Sequence, residues 1–238
     1  MPKYLFNFEK SESVRWLGHL DILRAFERAM RRADLPVAFT QGFNPRIRIN
    51  FASALSTGIT GSAEPAIVEL TELLPTAIVE ERLNTALPPG IRVNGFEEVP
   101  DSGSRDLLNG YDRAEYLFIC ACSDPELVTP ERAVQVTEEL MAQSEIPVVR
   151  EREGRSKTVD IRPFISLLEF VSRDPETRRG TWRTIVGIGE WGNVRPAELV
   201  PALAAYLPGL TLRRAHRVRL HKSQTAQNHT STAPDQDE

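Results

Sequence analysis

The chain has 238 residues, enough for two compact units, and its 41% hydrophobic content excludes a disordered protein. A formal net charge of −4 argues against a general nucleic-acid coat. The charge is unevenly spread, however: residues 1–50 carry +4, 51–110 −6, 111–160 −5, 161–222 +6 and the remaining tail −3.

From the N-terminus, "KYLFNFEK" alternates apolar and polar residues and predicts a first strand. It carries no signal-peptide core, and no apolar run approaches membrane-spanning length, so a cytoplasmic protein without membrane contact is expected. Gly18 precedes a helix from about His19 to Ala33, with an apolar stripe of Leu20, Leu23, Phe26 or Ala29, Met30 and Ala33. Arg24, Arg28 and Arg31 fall on its other side. "LPVAF" reads as a short strand, "QGFNPR" as a turn, and "RIRINF" as a strand with Arg46, Arg48 and Asn50 on one face. "PAIVELTE" (strand), "TAIVEERLNTAL" (helix) and "GIRVNGFEEV" (strand) complete a β-α-β-β-α-β order.

A linker is placed near residues 100–111, where "DSGSRDLLNG" breaks the pattern. The second half repeats the theme. "AEYLFICAC" is a strand, and "TPERAVQVTEELMAQ" a helix capped by Thr129. "IPVVRERE" and "RSKTVDIRP" form a hairpin around Gly154, and "FISLLEFVSR" fits either strand or short helix. "GTWRTIVGIG" (strand), "RPAELVPALAAYL" (helix) and "LTLRRAHRVRLHK" (strand) follow, and that last strand reads as a strongly basic sheet edge. The expected fold is α+β: two tandem ferredoxin-like β-α-β-β-α-β units, with antiparallel sheets and helices on one face, spanning 1–100 and 112–222. Residues 223–238 read as a disordered tail.

Guanidinium groups hold phosphates with forked donors and never lose their charge. Arg24, Arg28 and Arg31 on the helix, with Arg46 and Arg48 on a neighbouring strand, therefore form a candidate nucleic-acid-binding surface. Gln41, Phe43 and Asn44 of the turn supply amides and a ring for base or backbone contact. A solvated helix face with Asp21–Arg24 and Glu27–Arg31 pairs accounts for the same helix charges, and turn chemistry accounts for Gly42, Asn44 and Pro45. His19 and Asp21 are candidates for acid–base chemistry, against a capping and packing role. Cys120 and Cys122 make no disulfide framework and have no histidine beside them. No metal site is expected, and the two thiols read as core or core-edge residues in a reduced setting. "GIGEWGN" lacks the Lys-Ser/Thr of a phosphate loop.

Residues 15–64, "RWLGHLDILRAFERAMRRADLPVAFTQGFNPRIRINFASALSTGITGSAE", resemble the radical SAM-linked (radical SAM-associated) protein family, a domain of unknown function. The shared features are the His-Leu-Asp helix start, the basic helix, "LP", "QGFNP" and the small-residue segment, in that order. Family members are often fused behind a radical SAM enzyme, or encoded near one and near a ribonuclease of the RNase E/G type. The resemblance implies a separate radical SAM enzyme as partner, which would carry the iron–sulfur cluster and SAM. Two cysteines cannot provide the three thiolates of that cluster, so no cofactor is expected in this chain. The leading expectation is an RNA-binding or substrate-presenting accessory module for tRNA or rRNA modification or processing. Two alternatives stand beside it: a metal-independent, endonuclease-like enzyme using His19, and a protein–protein adaptor without RNA contact.

Overall fold

A computed structural model describes residues 1–100, 104–152, 154–189 and 192–222. The expected tail and the centre of "GIGEWGN" lie outside the described residues. In β1 (Lys3–Lys10) the alternation sends Tyr4, Phe6, Phe8 and Lys10 to one buried face. Helix α1 (His19–Arg32) lays Ile22, Ala25, Phe26, Ala29 and Met30 over them. The buried stripe is thus turned from the one expected, and Leu20 is left outside the core, 62% exposed.

"LPVAF" forms only isolated bridges, Val37 to Leu70 and, flanking the "QGFNPR" turn, Phe39 to Ile47. Of the strand expected at "RIRINF", regular pairing is limited to β2 (Ile49–Phe51). Arg46 and Asn50 are exposed while Ile47 and Ile49 enter the core, so the alternation itself is real. Then come β3 (Ile59–Glu69), α2 (Thr76–Ala86), β4 (Ile91–Val99) and a short helix α3 (Ser104–Asn109), which lies in the stretch expected as linker. Its Leu108 is buried.

The second half runs β5 (Tyr111–Cys122), α4 (Pro130–Met141), β6 (Pro147–Arg152), β7 (Arg155–Asp160), β8 (Ile165–Arg173), β9 (Gly180–Gly187), α5 (Pro196–Ala204) and β10 (Leu210–Lys222). The Thr129 hydroxyl accepts from the Arg132 amide and caps α4. "FISLLEFVSR" is a strand, because its residues pair with β9 along their length. Trp182, 0% exposed, centres the second core between β9 and α4, and its Nε1 donates to Thr137.

Eight strands make one mixed sheet in the order β4-β1-β3-β10-β5-β9-β8, with β2 beside β3; β6 and β7 form a separate hairpin. Each half has the order fourth–first–third–second strand, and all pairs within a half are antiparallel. The two separate sheets expected are thus one, joined by a parallel pairing of Ile59, Thr60 and Gly61 with Ala215, His216 and Arg217. The short β2 makes this join possible. It pairs only with Ala66–Val68 and leaves the start of β3 free for β10. The last strand is consequently central, not the basic edge its arginines suggested.

Candidate functional site

Two groups of charged side chains meet around residues 46–64, one sealed in the join and one open along a groove beside it. In the join, Arg217 on β10 donates from Nε to both carboxylate oxygens of Glu64 at 2.9 and 3.1 Å, and from Nη2 to Glu64 as well. Both side chains are 2% exposed. The remaining guanidinium hydrogens reach the Ser53 hydroxyl, the Ser53 carbonyl and the Ala54 carbonyl, each at 3.3 Å. Desolvation works against this charge, but the hydrogen bonds and charge of Glu64 outweigh it and hold Arg217 protonated.

Lys10 ends the inward row of β1 and donates to the carbonyls of Leu17 (2.7 Å) and Ser56 (3.3 Å). Burial pulls its pKa down to about 8; the attraction of Glu64 opposes the fall, and Arg217 adds to it. The small-residue segment is therefore a wrapper for two buried cations. Gly61 is required where it is, because a Cβ there would stand 2.5 Å from Glu64 Oε1. His216, beside Arg217, bonds through Nδ1 to Thr60 Oγ1 (2.7 Å) and through Nε2 to Ser62 Oγ (2.6 Å).

The groove, of about 780 Å³, runs along β2. Leu23 and Phe51 give it an apolar floor, the exposed Leu20 an apolar edge, and Arg24, Arg46 and Arg48 positive sides. Each arginine faces a carboxylate: Arg24 with Asp21 at 3.7 Å, Arg46 with Glu27 at 3.8 Å and Arg48 with Glu69 at 2.9 Å. Glu27 thus pairs across to Arg46 instead of along the helix to Arg31. His19 connects the groove to the join. Its ring lies edge-on to Phe51 at 5.4 Å, and burial, then the nearby Arg217 charge, lower its pKa, so the imidazole is neutral at pH 7.

Of the residues singled out from sequence, Arg24, Arg46 and Arg48 come together in the groove. Arg28 and Arg31 are exposed further along α1 and do not line it. Gln41, Phe43 and Asn44 are exposed at the turn beyond Thr40, with Phe43 fully in solvent. Asp21 accepts from the Gly18 amide at 3.1 Å and pairs with Arg24; it makes no hydrogen bond to His19 among the described residues. It is a helix cap and does not orient the imidazole. Cys120 is buried with its thiol pushed up to about 12 by desolvation, and Cys122 is half-buried, donating to the Pro208 carbonyl. No group of three or more potential metal ligands is found among the described residues, and no described helix is long and apolar enough to cross a membrane.

Sequence reasoning does not single out Lys10 or Glu64, and it places Arg217 only on a basic sheet edge. The signal for Lys10 was its parity: it continues the inward row Tyr4, Phe6, Phe8, where a charge demands a buried partner. No comparable local signal marks Glu64, whose partner lies 153 residues away.

A family model described as "Uncharacterized protein conserved in bacteria (DUF2344)" matches residues 3–196. Comparison with curated proteins gave no match. Among solved structures, a chain of the crystal structure of a Cbf5–Nop10–Gar1 complex superposes with a TM-score of 0.52 at 12% identity, covering 91% of this chain and 48% of the other. Two more are similar at a TM-score of 0.49. One is from an H/ACA RNP bound to a substrate RNA containing 2'-deoxyuridine, with 12% identity and coverages of 91% and 47%. The other is from the archaeal box H/ACA sRNP Nop10–Cbf5 complex, with 13% identity and the same coverages. The chain spans about half the length of the solved chains it matches.

Proposed function

This chain belongs to the bacterial family of uncharacterized conserved proteins DUF2344, and we propose that it is an RNA-binding accessory module that presents its substrate from the groove along β2. The observation that carries this reading is the set of three arginines, one from α1 and two from the segment leading into β2, over an apolar floor. Arginines supply phosphate affinity, and an exposed apolar surface such as Leu20 supplies a place for a base.

The fourth–first–third–second strand order supports reading each half as a ferredoxin-like unit. A separate radical SAM enzyme, holding the cluster and SAM, is the partner implied by the resemblance of residues 15–64, and tRNA or rRNA is the substrate class in that setting.

Filter binding of a single-stranded RNA over a salt series tests the core of the reading. Affinity should fall steeply with salt, with a log–log slope of roughly −0.7 for each phosphate neutralised. Undetectable binding at low salt would remove it. Binding without salt dependence would do so too.

A further inference from the structure

We propose that the groove accepts a single strand and reads its base through Glu27, selecting bases that carry an exocyclic amino group. This inference rests on the RNA reading above and adds what the groove prefers. Its size comes first. About 780 Å³ lies in the range of roughly 300–1,000 Å³ typical of small-ligand sites, which suits an unstacked nucleotide or two. A duplex keeps its bases stacked inside and offers a side-chain-sized groove nothing to enter it.

The arrangement of charge sets the orientation. Arg24 and Arg46 are 62% and 70% exposed, so they stand at the rim. Glu27 and Glu69 lie deeper, at 12% and 14% exposure. A phosphate inside would meet both carboxylates, whereas one at the rim meets the guanidinium groups of Arg24 and Arg46, displacing only the exposed Asp21 from Arg24. The backbone therefore lies outside and the base lies on Leu20 and Phe51.

The two carboxylates are not equivalent. Glu69 accepts from Arg48 and also sits near Lys3 at 3.7 Å. Glu27 has only Arg46 at 3.8 Å, beyond hydrogen-bond reach, and accepts no hydrogen bond among the described residues. A carboxylate that lines a groove with open acceptor capacity can take a donor brought in by the ligand in place of water. The exocyclic amino groups of cytosine, adenine and guanine are such donors, as in carboxylate recognition of the cytosine N4 amino group. Uracil presents a single N–H between two carbonyl oxygens, which the carboxylate repels.

The test is fluorescence anisotropy at fixed low salt with 12-mers of rA, rC and rU and a 12-base-pair RNA duplex, on the full chain and two variants. The expected result is at least tenfold tighter binding of rA and rC than of rU or the duplex. Glu27→Gln should shrink the rA/rU and rC/rU ratios to within about twofold, because an amide donates as well as accepts. Arg24→Gln should weaken all single strands alike and leave the ratios in place. Equal binding of the three homopolymers would overturn the inference and leave the RNA reading, which the salt series tests, standing. A preference that survives in Glu27→Gln, or a duplex bound as tightly as rA, would also overturn it. No binding by any strand would remove both.

Discussion

The join and the groove are built from the same chemistry, arginine against carboxylate, and differ in how much water reaches them. At the join, Arg217 and Glu64 are 2% exposed and every guanidinium nitrogen has a partner. At the groove, Arg24 and Arg46 stand in solvent at 3.7 and 3.8 Å from their carboxylates. A sealed pair holds two strands in register, because removing either member leaves an uncompensated buried charge. A solvated pair contributes little to stability and can exchange its carboxylate for a phosphate. The difference separates what assembles the protein from what is available to a ligand.

The largest expected effect comes from breaking the sealed pair. Arg217→Met should cost about 3–5 kcal/mol in denaturant unfolding, since Glu64 then stays buried and charged. The double variant Arg217→Met/Glu64→Met removes both charges and should lie closer to the parent than either single change. Single and double variants of equal stability would mean that the join depends on the backbone pairing of Ile59–Gly61 and not on the ion pair.

Next in size is the groove. Arg24→Glu/Arg46→Glu should cost less in unfolding free energy than breaking the sealed pair, because both guanidinium groups stand in solvent. The same change should weaken RNA binding by at least about tenfold and flatten its salt dependence by roughly 0.7 for each phosphate no longer neutralised. Arg28→Glu/Arg31→Glu, on the same helix but outside the groove, should have a smaller effect on binding. Equal losses in both double variants would move the site from the groove to the whole helix surface.

Much of this contrast was legible in the sequence, but not the part that depends on distant residues. Periodicity located most of the strands and helices, and it placed Arg24, Arg46 and Arg48 on neighbouring elements. The join was hidden because Ile59–Gly61 sits in a segment of small residues that looks like a loop. The last strand looked like an exposed edge because its alternation is broken at Leu212/Arg214 and Arg217/Arg219, which hides that Arg217 points inward with Ala215. Leu20 fitted the helical period and still lies outside the core, because the stripe that meets β1 is centred on Ile22, Phe26 and Ala29. Period alone does not say which of two overlapping stripes the sheet will cover.

The smallest expected effect concerns two histidines, one on each side of the comparison. His216 in the join and His19 at the groove both have pKa values lowered from 6.5, in each case chiefly by burial. For His216 the charges of Glu64 and Glu9 oppose the shift, and for His19 the charge of Arg217 adds to it. A histidine with a depressed folded pKa takes up its proton more readily in the unfolded chain. Its stabilising contribution is present above about pH 6.5 and is lost as pH falls through the folded pKa. Urea unfolding should therefore show stability decreasing from pH 7.5 to 5.5. His19→Asn should remove part of that slope with little change at pH 7.5, because the ring accepts or donates no hydrogen bond among the described residues. His216→Asn should remove part of the slope and also lower stability at pH 7.5, since Thr60 and Ser62 lose their shared partner. If His19→Asn costs as much at pH 7.5 as His216→Asn, His19 belongs to the sealed join and not to the groove side of the comparison.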